Sequence, residues 1–195
     1  SWQDYDFEFF SDGTGFAIAY IGGDSWADPI HVDLITLGQN TTSTVYVHPT
    51  EGTGHRDNVD ITVSPNGDYF AIAWEESQER WDSAAAEWIN GTSVKAQVFN
   101  IDGSAKSSIL QVSPHDKSWS SSTQEEEPSI VFLNDGRVLV SWTEELSYDG
   151  TTSQYYGRTF AKIFSRSGSE LDTLSGYFDT TGYGPEVAPA YENID

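Results

Sequence analysis

One short apolar motif occurs three times in this sequence, and the repetition limits the possible folds more than any other feature. Each copy follows an Asx-Gly dipeptide, and each dipeptide follows another apolar stretch. Such repetition indicates one supersecondary unit that is used several times. The copies are residues 16–20 (FAIAY), 70–74 (FAIAW) and 138–142 (VLVSW).

Each copy is predicted to be strand b of a four-stranded antiparallel unit whose strands we letter a to d. The Asx-Gly dipeptides supply positive φ at little cost, so strands a and b should form a hairpin. Strand c is clearest where residues 96–104 align without gaps to residues 161–169, with a shorter copy at 32–38. Strand d is predicted at residues 45–49 and 110–114, with a weaker copy at 171–174.

The composition supports an all-β fold. The 195 residues include 7 Trp, 10 Tyr, 10 Phe and 17 Gly, enough for a sizeable core. Only residues 83–88 look helical, and we expect one helical turn there inside a loop. Strand b is apolar on both faces, since its large and small residues alternate, so both faces should be covered. Radially stacked sheets, as in a propeller, bury their central strands in this way.

The units resemble the blades of β-propeller repeats in large secreted bacterial surface proteins. The resemblance rests on Pro-x-Ile/Val, Asx-Gly, a strand ending in Trp, and Ala-x-x-Phe with Asp-Gly, over about residues 7–190. It implies four-stranded blades with strand a at the central axis and strand d outermost, and it implies no activity. We therefore predict one repeat domain over residues 1–195, with blades at about 5–49, 57–114 and 128–176 and the start of a fourth unit at 185–190.

Three blades are too few for a propeller, because propellers typically have four to eight. Either a longer chain or another subunit is therefore expected to complete the ring. The alternative for residues 185–190 is a disordered end that matches strand a by chance. A head-to-tail contact that closes gives a symmetric oligomer, and one that does not close gives a filament. The predicted fold is thus a partial or oligomer-completed β-propeller.

The charge limits the partners. With 31 acidic and 9 basic residues the formal net charge is −22, which repels nucleic acids and anionic membranes. No apolar run reaches the ~18 residues that span a bilayer, so membrane insertion is not expected. The absence of Cys excludes disulfides and thiolate metal sites. We expect a secreted or cell-surface protein, because external cations would screen its self-repulsion.

The long connections between strands b and c, at residues 21–30, 75–93 and 143–159, are predicted to be loops rich in aromatic and acidic residues. An aromatic ring can stack on a sugar while neighbouring carboxylates accept hydrogen bonds from its hydroxyls. The alternative is that the rings pack under the loops and the acids form a solvated rim. The candidate ligand-binding residues, one of them from a d–a connection, are Trp26, Trp81, Trp88, Trp119, Tyr148, Tyr155 and Tyr156.

Calcium is a weaker possibility for the acidic side chains. Hard oxygen ligands suit this ion, but the sequence has no EF-hand loop and no calcium-binding nonapeptide repeat. The spacing of the four His residues does not suggest a zinc site. The candidate calcium ligands are Asp24, Asp28, Glu75, Glu144 and Asp149.

An acid recurs near the start of strand a, at Asp6, Asp60 and Glu186, with Ser129 in the third copy. Carboxylates around an axis can serve a glycosidase, but we favour polar residues that face a wet axis. Other catalytic signatures are missing, so no enzyme is predicted. The leading hypothesis is an adhesive or structural module that associates with itself or another protein through its open blades. A lectin-like, glycan-binding module comes second and a glycosidase third.

Overall fold

The computed structural model describes residues 4–22, 29–38, 42–47, 56–82, 87–113, 125–149 and 154–176. These residues form β-strands and connecting turns, and no helix occurs among them. The strands are β1 (Tyr5–Phe9), β2 (Gly15–Ile21), β3 (Ile30–Thr36), β4 (Thr42–Val47), β5 (Arg56–Val63), β6 (Tyr69–Asp82), β7 (Glu87–Asn100), β8 (Leu110–Gln111), β9 (Glu125–Phe132), β10 (Val138–Asp149), β11 (Gln154–Phe164) and β12 (Glu170–Gly176).

The strands form three antiparallel sheets of four, each in chain order: β1 to β4, β5 to β8 and β9 to β12. This confirms the predicted four-stranded repeats and the all-β class. The a–b hairpins turn at Gly13, Gly67 and Gly136, whose φ angles are 70°, 72° and 82°. These left-handed angles are the reason that the sequence has glycine after Asp or Asn at each of these turns.

The strand pairings have closely corresponding registers in the three sheets, so most residues have equivalents in the other two. We use one row across strands b, c and d as the reference. That row is Ala19, Val32 and Val45 in the first sheet, Ala73, Ala96 and Leu110 in the second, and Ser141, Ala161 and Leu174 in the third.

The second sheet lies between the other two and is covered on both faces. Phe70, Ile72 and Trp74 pack against the first sheet, while Ala71 and Ala73 pack against the third. All five side chains are fully buried, which confirms for the second unit the prediction that both faces of strand b are covered. Two apolar cores therefore hold the three sheets in one stack.

The b–c connections of the second and third units differ from the prediction. Strand β6 ends at Asp82 and β7 begins at Glu87. In the third unit, β10 ends at Asp149 and β11 begins at Gln154. Most residues expected in loops therefore extend the hairpins, because a two-stranded ribbon pairs its own backbone groups.

The predicted helical turn at residues 83–88 is wrong for Glu87 and Trp88, which belong to β7. Residues 83–86 lie outside the described residues. Glu87 and Trp88 pair with Asp82 and Trp81, so their backbone groups extend the ladder of the hairpin.

Candidate functional site

Carboxylates on the first strands of the units join neighbouring sheets. Asp6 Oδ2 accepts a hydrogen bond of 3.0 Å from the backbone N–H of Ile61, and Asp60 Oδ2 accepts one of 2.7 Å from Ile130. Asp6 and Asp60 are equivalent, since they pair with Ala19 and Ala73. The interpretation of these acids as residues facing a wet axis therefore misses their contact with the next sheet.

A backbone irregularity accompanies this contact. Asn58 and Glu127, which lie two residues before Asp60 and its equivalent Ser129, have φ angles of 54° and 52°. The register of the strand pairing shifts beside both residues, as in a β-bulge. In the second unit the N–H of Asn58 donates to Asp4 Oδ2 at 2.8 Å. In the second unit the bulge thus turns one backbone donor towards a carboxylate of the preceding unit.

Asp60 lies in an unusual electrostatic environment. Burial, followed by the adjoining carboxyl of Asp6, raises the pKa of Asp60 to about 7, although its hydrogen bonds from Ile130 and Ser129 act in the opposite direction. Burial and the charge of Asp6 also raise the pKa of Glu8. Around pH 7 the Asp60 carboxyl therefore still holds a proton in part of the molecules, at the contact between the first and second sheets.

A buried ion pair lies next to the apolar core between the first and second sheets, and the sequence analysis did not predict it. Arg56 is 2% exposed and Glu76 is 0% exposed, with 3.4 Å between Arg56 Nε and Glu76 Oε2. Trp74 Nε1 donates a hydrogen bond of 3.3 Å to the same oxygen. The sequence gives one signal for this pair. The chain has only nine basic residues, and one of them, Arg56, stands at the start of a strand.

The outer face of the first sheet exposes many apolar side chains, and we call it the first outer face. Phe7 is 49% exposed, whereas its equivalents in the second and third sheets, Ile61 and Ile130, are 2% and 5% exposed. The rings of Tyr20 and Tyr46 both contact that of His31, with centroids 5.0 and 4.9 Å away. This face consists of Tyr5, Phe7, Phe9, Phe16, Ile18, Tyr20, His31, Asp33, Ile35 and Tyr46.

At the opposite end of the stack, no further sheet of the described residues packs on the outer side of the third sheet, which we call the third outer face. This face includes Leu174, which is 48% exposed, whereas its equivalent Leu110 is 7% exposed beneath the third sheet. The other apolar residues of this face are half-buried. The third outer face includes the apolar residues Val131, Leu139, Ala161, Ile163 and Leu174 and the polar residues Ser129, Ser141 and Asp172.

Most of the predicted site residues lie in the extended hairpins or outside the described residues. Trp81 is opposite Trp88, and Tyr148 is opposite Tyr155, each one pair before the last pair of its hairpin. The structure describes only the backbone at these positions, as it does for Tyr156, Glu144 and Asp149. Residues outside the described ranges are Asp24, Trp26, Asp28 and Trp119.

Glu75 is the one predicted calcium ligand whose side chain is described. Its Oε2 accepts a hydrogen bond of 3.0 Å from Asn58 Nδ2. Among the described side chains, no group of three or more His, Asp or Glu residues is arranged to hold a metal ion. Calcium binding by the other predicted ligands stays a prediction. No helix that could cross a membrane occurs in the described part of the chain.

The chain matches no protein-family model and shows no significant similarity to a curated protein. The resemblance to propeller blades therefore depends on the sequence pattern and on the three repeated sheets.

Proposed function

We propose that this protein is part of a β-propeller and acts as an assembly or adhesion module, secreted or displayed at a cell surface. It associates with another protein chain through its first and third outer faces. The carrying observation is that the first outer face exposes side chains at repeat positions that are buried at both internal contacts between sheets. Phe7, compared with Ile61 and Ile130, is the clearest example.

The exposed aromatic surface supports association. Soluble monomers rarely expose a large continuous apolar patch, and such patches usually mark interaction sites. Tyr5, Phe7, Phe9 and Tyr46 are all exposed on one face of a single sheet. Covering them would contribute roughly 25 cal/mol for each Å² of apolar surface removed from water.

The charge supports the proposed location. A formal charge of −22 opposes association of copies at low ionic strength, and salt reduces this repulsion. An exterior rich in cations is therefore the environment in which the module should associate best. This argument supports secretion or surface display and is independent of the contacts at the sheet faces.

Light scattering coupled to size exclusion tests the proposal. We expect a mass above the 21.6 kDa of one chain, increasing with protein concentration and with salt. Phe7→Lys should return the protein to one chain, whereas Thr173→Lys, at an exposed position outside both outer faces, should not. A stable wild-type monomer at every concentration would contradict the proposal.

Carbohydrate binding at the hairpin ends is a second candidate function. The observation that favours it is the recurrence of a cross-strand aromatic pair, Trp81 with Trp88 and Tyr148 with Tyr155, at the same distance from two hairpin ends. Aromatic rings are the usual platforms for sugars. Glycan-array binding should be lost in Trp81→Ala, and binding that survives Ala replacements at Trp26, Trp81 and Tyr156 would remove these residues from the site.

A further inference from the structure

We infer that the first outer face of one copy binds the third outer face of a second copy, head to tail, with Leu174 of one copy against the c–d turn at Gly38 of the other. This inference rests on the proposed function, because it specifies which surfaces of an associating module meet. The proposed partner is a second copy of this chain, for the three reasons that follow: the turn contacts, the exposed equivalents of buried residues, and the sizes of the side chains.

The two internal contacts between sheets follow one rule at the c–d turns. A Cβ added at Gly103 would lie 2.5 Å from Val45 Cγ2, on strand d of the preceding sheet. A Cβ added at Gly168 would lie 2.6 Å from Leu110 Cδ2, again on strand d of the preceding sheet. Each turn glycine thus lets its backbone approach an apolar side chain of the previous unit.

Gly38 is the equivalent turn glycine in the first sheet, with a φ angle of 78°. Among the described residues, nothing lies within 4 Å of a Cβ added there. Leu174 is the equivalent of Val45 and Leu110 in strand register, and it is exposed. The chain therefore presents, at its two ends, the two halves of a contact that it makes twice internally.

The sizes of the side chains on the outer faces also favour a head-to-tail contact. At the contact between the first two sheets, the large Phe70, Ile72 and Trp74 pack on a face whose strand b contributes Ala17 and Ala19. The first outer face has the large type of surface, with Phe16, Ile18 and Tyr20 at the equivalent positions. On the third outer face, Leu139 and Ser141 stand at the positions of Ala17 and Ala19, so the smaller type of surface is kept at Ser141, which lies opposite Ala161.

A contact of this kind makes a defined assembly possible. Two copies joined at both ends would bring together six sheets, a number within the range of about four to eight known for propellers. Because a head-to-tail contact uses two different surfaces, it closes into a ring or continues as a filament. Two first outer faces packed on each other would instead leave both third outer faces uncovered.

Cysteine cross-linking tests the predicted residue pair, since the chain contains no Cys of its own. Gly38→Cys and Leu174→Cys are purified as separate variants, mixed, and exposed to a mild oxidant. We expect a covalent dimer in the mixture, at least tenfold more abundant than in either variant alone. Gly13→Cys is the matched control, because Gly13 also has a left-handed φ and no described residue within 4 Å of an added Cβ.

Complementation tests the head-to-tail arrangement without cross-linking. We expect Phe7→Lys and Leu174→Lys each to shift the mass towards one chain and to weaken association at least tenfold. An equimolar mixture should recover a two-chain mass, because it contains one intact first outer face and one intact third outer face. Circular dichroism spectra matching the wild type would show that both variants fold.

The outcomes separate the two proposals. A wild-type protein that associates, but gives no more cross-linking at Gly38 than at Gly13 and no recovery in the mixture, would overturn this inference and leave the proposed function in place. Leu174→Lys that associates as well as wild type would overturn it in the same way. A wild-type protein that is monomeric under all conditions would overturn both.

Discussion

Two strands that share the segment Phe-Ala-Ile-Ala, β2 and β6, have different surroundings. In each strand the motif follows the first residue, and its two alanines are fully buried against a neighbouring sheet. On the other face, Phe70, Ile72 and Trp74 of β6 are fully buried, whereas Phe16, Ile18 and Tyr20 of β2 are only half-buried. The local sequence therefore specifies the strand, and the neighbouring sheet decides how much its large residues contribute to stability.

Replacing the last aromatic residue of each motif by alanine should give the largest difference in unfolding free energy between these two strands. Trp74→Ala removes a fully buried ring that also donates a hydrogen bond to Glu76, and we expect it to cost about 3–5 kcal/mol of unfolding free energy. Tyr20→Ala should cost about 1 kcal/mol, because its ring is only half-buried. Urea denaturation at a protein concentration below that needed for association measures both.

The same pair of variants can be measured in the associated state. If a second copy covers the first outer face, the cost of Tyr20→Ala should rise with protein concentration while that of Trp74→Ala stays constant. Equal costs for the two variants in the dilute protein would contradict the described difference in burial.

The buried Asp60 carboxyl, beside Asp6, should make stability depend on pH. The folded pKa of Asp60 is about 7, above its usual value of 3.8, so the folded state holds the proton more tightly than the unfolded state. The stabilisation is complete below about pH 4 and is lost as the pH rises towards 7, by up to about 4 kcal/mol. Chemical denaturation between pH 4 and 8 should show this decline.

Two asparagine variants sharpen this prediction. Asp60→Asn should remove most of the decline, because its amide oxygen can still accept the hydrogen bond from Ile130 without titrating. Asp135→Asn is the control: the pKa of this exposed carboxyl is lowered, mainly by the hydrogen bond from the Arg137 backbone, so its small stabilisation is lost as the pH falls. An unchanged slope in Asp60→Asn would assign the pH dependence to other groups.

The strands and turns could be predicted from the sequence because their signals are local. Asp12-Gly13, Asn66-Gly67 and Asp135-Gly136 each specify a turn, and alternation of apolar residues specifies the strands beside it. The alignment of Asp6 with Asp60 followed from the same repeat. The repeat also predicted that both faces of β6 are covered.

Features that depend on residues distant in sequence could not be predicted in this way. The Arg56–Glu76 pair and the hydrogen bond from Ile130 to Asp60 join residues 20 and 70 positions apart. The positive φ of Glu127 has no sequence signal either, since glutamate does not favour that conformation. The aromatic loops were predicted too long, because polar residues in β6 and β7 hid a continued strand pairing.

The smallest predicted difference concerns the c–d turns at the two ends of the stack. Gly38→Ala should cost about 1 kcal/mol, because alanine disfavours the left-handed φ and an added Cβ meets no described residue within 4 Å. Gly168→Ala should cost about 2 kcal/mol, since its Cβ would also lie 2.6 Å from Leu110 Cδ2 and 3.1 Å from Ser107 Cβ. Thermal unfolding of the dilute protein should rank the two in this order.

If Leu174 of a second copy packs on the Gly38 turn, raising the protein concentration should bring the cost of Gly38→Ala up to that of Gly168→Ala. A constant difference between them would show that this turn stays open.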